Sequence, residues 1–437
     1  MITKDLVKKK VCETIDSQAQ RIIEIGEDIF CHPELGFKEE RTSNLVASCL
    51  TSLGLETQRG LALTGVKATA SGKKKGPHVM IMGELDAVVC PLHPHSDPVT
   101  GASHSCGHNA QIASMIGSAI GLTPILAELD GSLSFCGVPA EEYVELAFRK
   151  QLKDQGKIEF YGGKQEWIRQ GFFDDIDMGM MCHSHAGEER KKFLIDCDSS
   201  GFIGRTAQFR GKEAHVGAEP YNGVNALNAA TLAIVAMNMQ RETFKDSERV
   251  RVHPIITKGG DLVNIVPADV RMEMYIRARN IQAVTESAAK IERAIKGASM
   301  AIGTEVTLFD IPGYLPLRQD SHLCQLSSDN AQSLLGKNGV IYGEELKGAT
   351  DAGDVSSIMP FNHLSSGGFS GVAHSLNFTI SDKEMAYVLP AKLMALNAVD
   401  LLWEGATEAK KVIKAYTPSF TNNEEYCQFW RGFSREY

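Results

Sequence analysis

The chain has ten cysteines, scattered from Cys12 to Cys427, yet no C-x-x-C pair. Dispersed thiols in a long chain argue for reduced side chains and against a disulfide framework. The N-terminal stretch MITKDLVKKKVCETIDSQAQ lacks an apolar segment behind its early charges, and it lacks a small-residue cleavage pattern. It therefore reads as a helix rather than a secretory signal, and a cytoplasmic protein is expected. Long hydrophobic runs are also missing. The most apolar stretches, around Met115 to Leu126 and Ala229 to Met239, fall short of the roughly 20 residues that span a bilayer, so no membrane partner is expected. Basic charge is not in excess: 45 Lys and Arg stand against 54 Asp and Glu, for a net charge of -9. Nothing here attracts phosphate backbones without regard to sequence, and nucleic acid is not an expected partner.

What is present is 437 residues, 43% hydrophobic and 23% charged. That length is about three times a typical domain of roughly 150 residues, and the composition is that of a folded globular protein. Apolar residues recur at helical spacing from Lys4 to Leu53 (Val7, Val11, Ile15, then Ile22, Ile23, Ile29), with a break at Pro33 to Gly36. This predicts a two-helix opening. Short apolar runs follow at Val79 to Met82, Ser132 to Val138 and Met178 to Cys182, with helix-like segments after Asn109 and after Glu142. Strands alternating with helices predict an α/β layer with a mostly parallel sheet, whose ligands sit at the C-terminal strand ends. Near Ser199 the pattern changes to strands at Phe202 to Phe209, Arg249 to Ile256 and Val270 to Arg277, with helices at Gly223 to Met239 and Gln282 to Ile295. That is a compact α+β unit. The division expected is 1–199 and 313–437 in one domain, interrupted by a second at 200–312.

The informative residues lie just after the predicted strands. Glu84 and Asp86 follow one, Glu141 and Glu142 another, and His183 and His185 a third, while Cys106 and His108 precede a helix and His374 follows a glycine-rich turn. Cys106 and His108 can present a thiolate and an imidazole to one ion, and Glu142, His183 and His374 can complete a mixed S/N/O site. His185 is the alternative to His183, on the same side of an extended strand. If Glu142 binds metal, Glu141 beside it is placed to take a proton from an activated water. The structural alternative for the acid pair is a helix N-terminal turn, where the macrodipole favours carboxylates.

Several ordered motifs carry a resemblance over nearly the whole chain. They are His32-Pro-Glu-Leu-Gly-Phe-Lys-Glu, Gly83-Glu-Leu-Asp-Ala, Ser105-Cys-Gly-His-Asn, Gly137-Val-Pro-Ala-Glu-Glu, Gly211-Lys-Glu-Ala-His, Gly259-Gly-Asp-Leu-Val-Asn-Ile-Val-Pro and Thr350-Asp-Ala-Gly-Asp-Val-Ser. On these the chain resembles the M20 family of metallopeptidases and amidohydrolases, most of all the subfamily D branch of aminoacylases and aminobenzoyl-glutamate hydrolases. The resemblance implies a phosphorylase/hydrolase-like α/β catalytic domain, interrupted by a smaller α+β lid domain through which the chain forms a homodimer. It implies two divalent metal ions, Zn or Mn before Co or Ni, held by Cys106, His108, Glu142, His183 and His374. Glu141 matches the general base, Asp86 the acid that orients a ligating His, and His215 a lid residue that stabilises the oxyanion in the partner's site. Asn264 and Arg277 match positions that bind the substrate carboxylate. Glu84 stands where other branches carry a ligating His.

The activity implied is hydrolysis of the amide bond of an N-acyl or N-aroyl amino acid, or of a short dipeptide. The other readings are a deacylase or carbamoyl hydrolase acting on a non-peptide amide, a catalytically silent relative that binds small amides, and a purely structural Zn-Cys site. Two long segments depart from the family pattern: residues 88–105, with His93, His95, Asp97 and His104, and residues 143–160 ahead of Gly162-Gly-Lys. The first is expected to wall the pocket or compete for metal.

Overall fold

The computed structural model describes residues 2–186, 191–343, 345–346, 348–434 and 436–437. Contacts divide the chain into two bodies. The larger comprises 1–198, 318–345 and 354–423; the smaller comprises 199–317, 346–353 and 424–437.

In the larger body the described residues form a nine-stranded sheet. Its centre is four parallel strands in the order Asp130–Val138, Lys74–Glu84, Met178–Ala186 and Phe361–Ser370. Val79 to Met82 are all buried, because helices cover both faces, as the continuous apolar runs of a parallel strand require. The predicted mostly parallel sheet is therefore observed. Two antiparallel strands at one edge, Glu56–Leu61 and Gly65–Ser71, carry too few apolar residues to show in the hydrophobic pattern. The opening is three helices where two were expected: Lys4–Ser17, Ala19–Phe30 and Glu40–Ser52. The extra break falls at Gln18, whose φ of -111° and ψ of 9° leave the helical region without any proline to announce it. Two helical stretches, His108–Glu128 and Glu384–Leu402, are long and apolar enough to cross a bilayer, contrary to the shorter runs read from the sequence. Both are mostly buried, and their apolar surface packs into the core of this body.

The smaller body is a four-stranded antiparallel sheet, ordered Arg251–Lys258, Asp269–Ala278, Gly201–Arg210 and Glu305–Tyr314. Helices Ala226–Met239 and Ile281–Ile302 pack against it. Along Asp269–Ala278 the residues Val270, Met272, Met274, Ile276 and Ala278 point inward and Arg271, Glu273 and Tyr275 outward, the period of two expected of a half-covered sheet. The boundaries fall at 198/199 and 317/318, where 199/200 and 312/313 were expected. The second shifts because the strand from Glu305 runs on to Tyr314. Residues 424–437, expected with the larger domain, join the smaller one instead: Tyr437 exchanges backbone hydrogen bonds with Leu308 (2.8 and 2.9 Å).

Candidate metal centre

The C-terminal ends of the four central strands and the loops that follow them converge on one cluster. Cys106 and His108 reach it because Gly107 turns the chain at φ 80°, at the N-terminus of His108–Leu122. A Cβ on Gly107 would stand 2.6 Å from Ser184 Cβ, so this turn needs both the positive φ and the bare backbone. Two residues that are not glycine also adopt positive φ here: Ala140 (55°), just before the acid pair, and His374 (61°). Such strain is retained where surrounding structure over-determines it, as at functional sites. The backbone N–H of His374 donates to Ser105 O at 2.8 Å, tying its loop to the Cys106 turn.

Three groups of donor atoms, each lying within 4.8 Å of one another, result: Cys106, His108 and His183; Cys106, Glu142 and His374; and Glu84, His108 and Glu141. The first two contain all five residues matched as ligands, and they share the Cys106 sulfur. His183 Nε2 is 3.6 Å from Cys106 Sγ. His374 Nε2 is 3.1 Å from Glu142 Oε1. His185 belongs to none of the three groups among the described residues.

The imidazoles are oriented for ligation. His108 donates from Nδ1 to the Asp86 carbonyl (2.8 Å), with Asp86 Oδ1 3.3 Å away. His183 Nδ1 is bound to Ser184 O at 2.8 Å. Each ring thus turns Nε2 to the cluster, the arrangement that fixes tautomer and direction in metal-binding histidines. Asp86 Oδ2 also accepts the Glu142 N–H (2.8 Å), so one carboxylate holds two of the ligand residues in place.

His108 Nε2 and Glu142 Oε1 are buried and make no well-directed hydrogen bond, although Glu84 Oε2 and His374 Nε2 stand 3.1 Å from them. Buried polar atoms left unmatched call for a partner that completes them. Burial would raise the Cys106 thiol, but His108 and His183 hold it well below its usual range, as a thiolate. Burial and that thiolate push Glu142 up to about 7 against the pull of His374. His374 is raised to about 11 by its hydrogen bonds to Cys106 and Glu142. One thiolate, three imidazoles and a carboxylate, with two orphaned donor atoms, fit divalent transition-metal ions. Glu141, buried like its neighbour, places Oε2 3.9 Å from His108 Nε2 without joining the two groups that share Cys106.

Residues 88–105 do not supply ligands. His93, His95 and Asp97 stand in none of the three groups among the described residues. His93 Nε2 contacts Phe378 O at 2.9 Å, Phe30 packs against both His93 and His95, and Asp97 Oδ1 accepts the Val99 and Thr100 N–H groups of its own turn. The loop braces the segment that carries His374 rather than competing for metal. Residues 143–160 fold partly as the helix Leu146–Asp154, and its buried Arg149 donates to the carbonyls of Ala140, Glu142 and Tyr161. Sequence reading missed Arg149. It missed His363 as well, which stacks on His183 (ring centroids 5.5 Å apart) with neither ring nitrogen hydrogen-bonded. Burial and the neighbouring His183 lower His363 to about 3, so it is a neutral imidazole. Both are residues whose meaning depends on distant chain, and no local motif marks them.

Of the matched residues of the smaller body, two lie together and the third apart. His215 is exposed, and its Nδ1 accepts the N–H groups of Gly217 and Ala218 (3.2 and 3.1 Å). That tautomer leaves Nε2–H as an outward donor. Asn264 is its close neighbour, with Asn264 O accepting the Val216 N–H at 3.0 Å. Arg277 sits near the opposite end of Asp269–Ala278 from the loop holding Asn264, stacked on Phe202 and Tyr275. At about 3.3 Å per residue, the strand separates Arg277 from the other two within this body.

Comparison with known proteins agrees with this picture. Residues 198–300 match the M20 peptidase dimerisation domain. The Xaa-Arg dipeptidase of Mus musculus is 27% identical over 424 residues, covering 92% of this chain and 90% of the relative. One of the chains of the p-aminobenzoyl-glutamate hydrolase of Escherichia coli (strain K12) is 28% identical over 321 residues, 70% of this chain and 61% of the relative. A solved Bacillus subtilis structure, described as a dinuclear metal-binding peptidase from the M20 family, matches with a TM-score of 0.71 at 22% identity over 89% of this chain and 99% of that one. The sheet, the shared-sulfur cluster and these likenesses point the same way: residues 198–300 match the M20 peptidase dimerisation domain, and the chain is similar over most of its length to a dipeptidase and over 70% of it to an aminobenzoyl-glutamate hydrolase chain.

Proposed function

We propose that the chain hydrolyses the amide bond between an acyl or aroyl group and an amino acid, or that of a short dipeptide, using two divalent cations. One observation carries this reading: two donor groups share the Cys106 sulfur, and Glu141 stands beside them outside both. The dipeptide and aminobenzoyl-glutamate named for the two relatives are both amides whose amine half is an amino acid with a free carboxylate. The ligands would be Cys106, His108 and His183 on one side and Cys106, Glu142 and His374 on the other, with Zn or Mn the metals the donor set favours and Co or Ni accepted. When bound, the cations supply Lewis-acid polarisation of a carbonyl and a water that ionises near neutral pH.

The chain's own residues do the rest. Glu141 takes a proton from water and returns it to the leaving amine. Asp86 keeps His108 and the Glu142 backbone in register. His215 of the partner copy donates from Nε2 to the developing oxyanion, a contribution of about 3 kcal/mol for one well-placed donor. Asn264, the neighbour of His215, takes the substrate carboxylate, whereas Arg277, near the far end of Asp269–Ala278, lies too far from it to share that group. The homodimer this needs would form through the smaller body, whose strand Arg251–Lys258 lies at the sheet edge and exposes Ile255 and Ile256. A cytoplasmic setting is supported by free thiols at all ten cysteines.

Glu141→Gln tests the base. It should retain the parent's metal content while turnover of N-acyl amino acids and dipeptides falls about 10³-fold; near-normal turnover would refute the assignment. Mixing His215→Ala with Glu141→Gln protomers should restore activity, and no recovery would rule out the contribution from the partner copy.

A further inference from the structure

Glu84, His108 and Glu141 form a third donor group beside the two that share Cys106. An ion held there would ligate Glu141 and remove the base. The structure places a cation against this group from within the chain. Lys164 and Glu84 are fully buried, and Lys164 Nζ lies 2.5 Å from Glu84 Oε1. The other carboxylate oxygen accepts from Gln111 Nε2 at 2.7 Å and lies 3.1 Å from His108 Nε2. Lys164 reaches this depth because its helix, Gly163–Arg169, docks against the Pro139–Ala140 turn, where a Cβ on Gly163 would meet Pro139 O at 1.7 Å. The backbone N–H of Gly163 donates to Ala140 O at 3.2 Å. The same turn leads into Glu141. Gly162-Gly-Lys, in the sequence only a landmark displaced by the long segment before it, is thus the device that brings an ammonium under the acid pair.

Resting on the two-cation reading above, we propose that Lys164 is a positioning residue that withholds Glu84 from the metal site, so that the third group takes no ion and Glu141 stays uncoordinated. The physical reason is charge. Lys164 neutralises Glu84 at hydrogen-bond distance, and its positive charge repels a dication approaching His108 Nε2 from that side. Without the lysine, a buried anion beside His108 and Glu141 becomes a strong ligand.

The test uses Co²⁺ alone as probe, added to the dialysed full-length protein, with the binding isotherm and the visible absorption of the bound ion as readouts. In Lys164→Met, Co²⁺ should bind roughly tenfold or more tightly, or in an additional equivalent. Its absorption per ion should weaken as a carboxylate raises the coordination number. The double variant Lys164→Met/Glu84→Gln should return both the isotherm and the spectrum of the parent protein. Superimposable curves for Lys164→Met and parent would overturn the proposal. So would a roughly tenfold loss of Co²⁺ affinity in the double variant, since Glu84 would then already be a ligand. Should Lys164→Met not fold, the double variant decides by the same criterion, parent-like binding supporting the proposal. If the parent binds no Co²⁺, it is the two-cation reading that fails.

Discussion

The two bodies treat their buried polar groups in opposite ways. In the smaller one, Arg205 and Asp310 are almost wholly buried and completely matched: the guanidinium makes two hydrogen bonds to the carboxylate (2.6 and 2.7 Å), another to Ala288 O and another to Tyr437 Oη. In the larger one, buried atoms of Asp86, His104, His108, Glu142 and His363 make no well-directed hydrogen bond, and all five residues lie at or beside the Cys106 cluster. Among the described residues the smaller body contributes only Ser199 Oγ to that set. The first arrangement is closed and structural; the second surrounds the donor atoms grouped about the Cys106 sulfur.

Breaking the closed arrangement should have the largest effect on stability. Asp310→Ala leaves the Arg205 cation buried and unpaired, and denaturant unfolding should show a loss of about 3–5 kcal/mol. Arg149→Met acts on the open arrangement, at the carbonyls of Ala140 and Glu142. It should lower kcat by roughly 10²-fold through misplacement of the acid pair, with metal content by elemental analysis unchanged and partial recovery in Arg149→Lys. Gly107→Ala forces a Cβ onto Ser184 at positive φ and should cost about 1–3 kcal/mol in thermal unfolding, while weakening metal binding. The smallest effect sharpens the contrast: chelation should speed amide exchange at 104–108, 140–142 and 371–376, and leave exchange in Gly201–Arg210 unchanged.

Much of the larger body could be read directly, because its central strands are continuous apolar runs that end in chemistry-bearing residues, Met82 leading to Glu84 and Cys182 to His183. The period-two pattern of Asp269–Ala278 was equally plain. Glu56–Leu61 and Gly65–Ser71 were not, since edge strands built from Thr, Gly, Lys and Ser carry no hydrophobic signature. The chain's last residues gave no sign that Tyr437 would pair with Leu308, a contact fixed only by the tertiary fold. In the site, Cys106, His108 and Glu142 stand in recognisable motifs, and His183 and His374 follow an apolar run and a glycine-rich turn. The roles of Lys164, Arg149 and His363 could not be read there, because burying a cation or a neutral imidazole has meaning only once its distant partners are in place: Glu84, the Ala140 carbonyl and His183.

The most direct test of the shared-sulfur cluster is the metal content of purified protein and of Cys106→Ala, measured by elemental analysis after reconstitution with Zn²⁺ or Mn²⁺. Because both donor groups depend on Cys106 Sγ, the parent should hold two ions per chain and the variant should lose both. Two ions retained in folded Cys106→Ala would contradict the account.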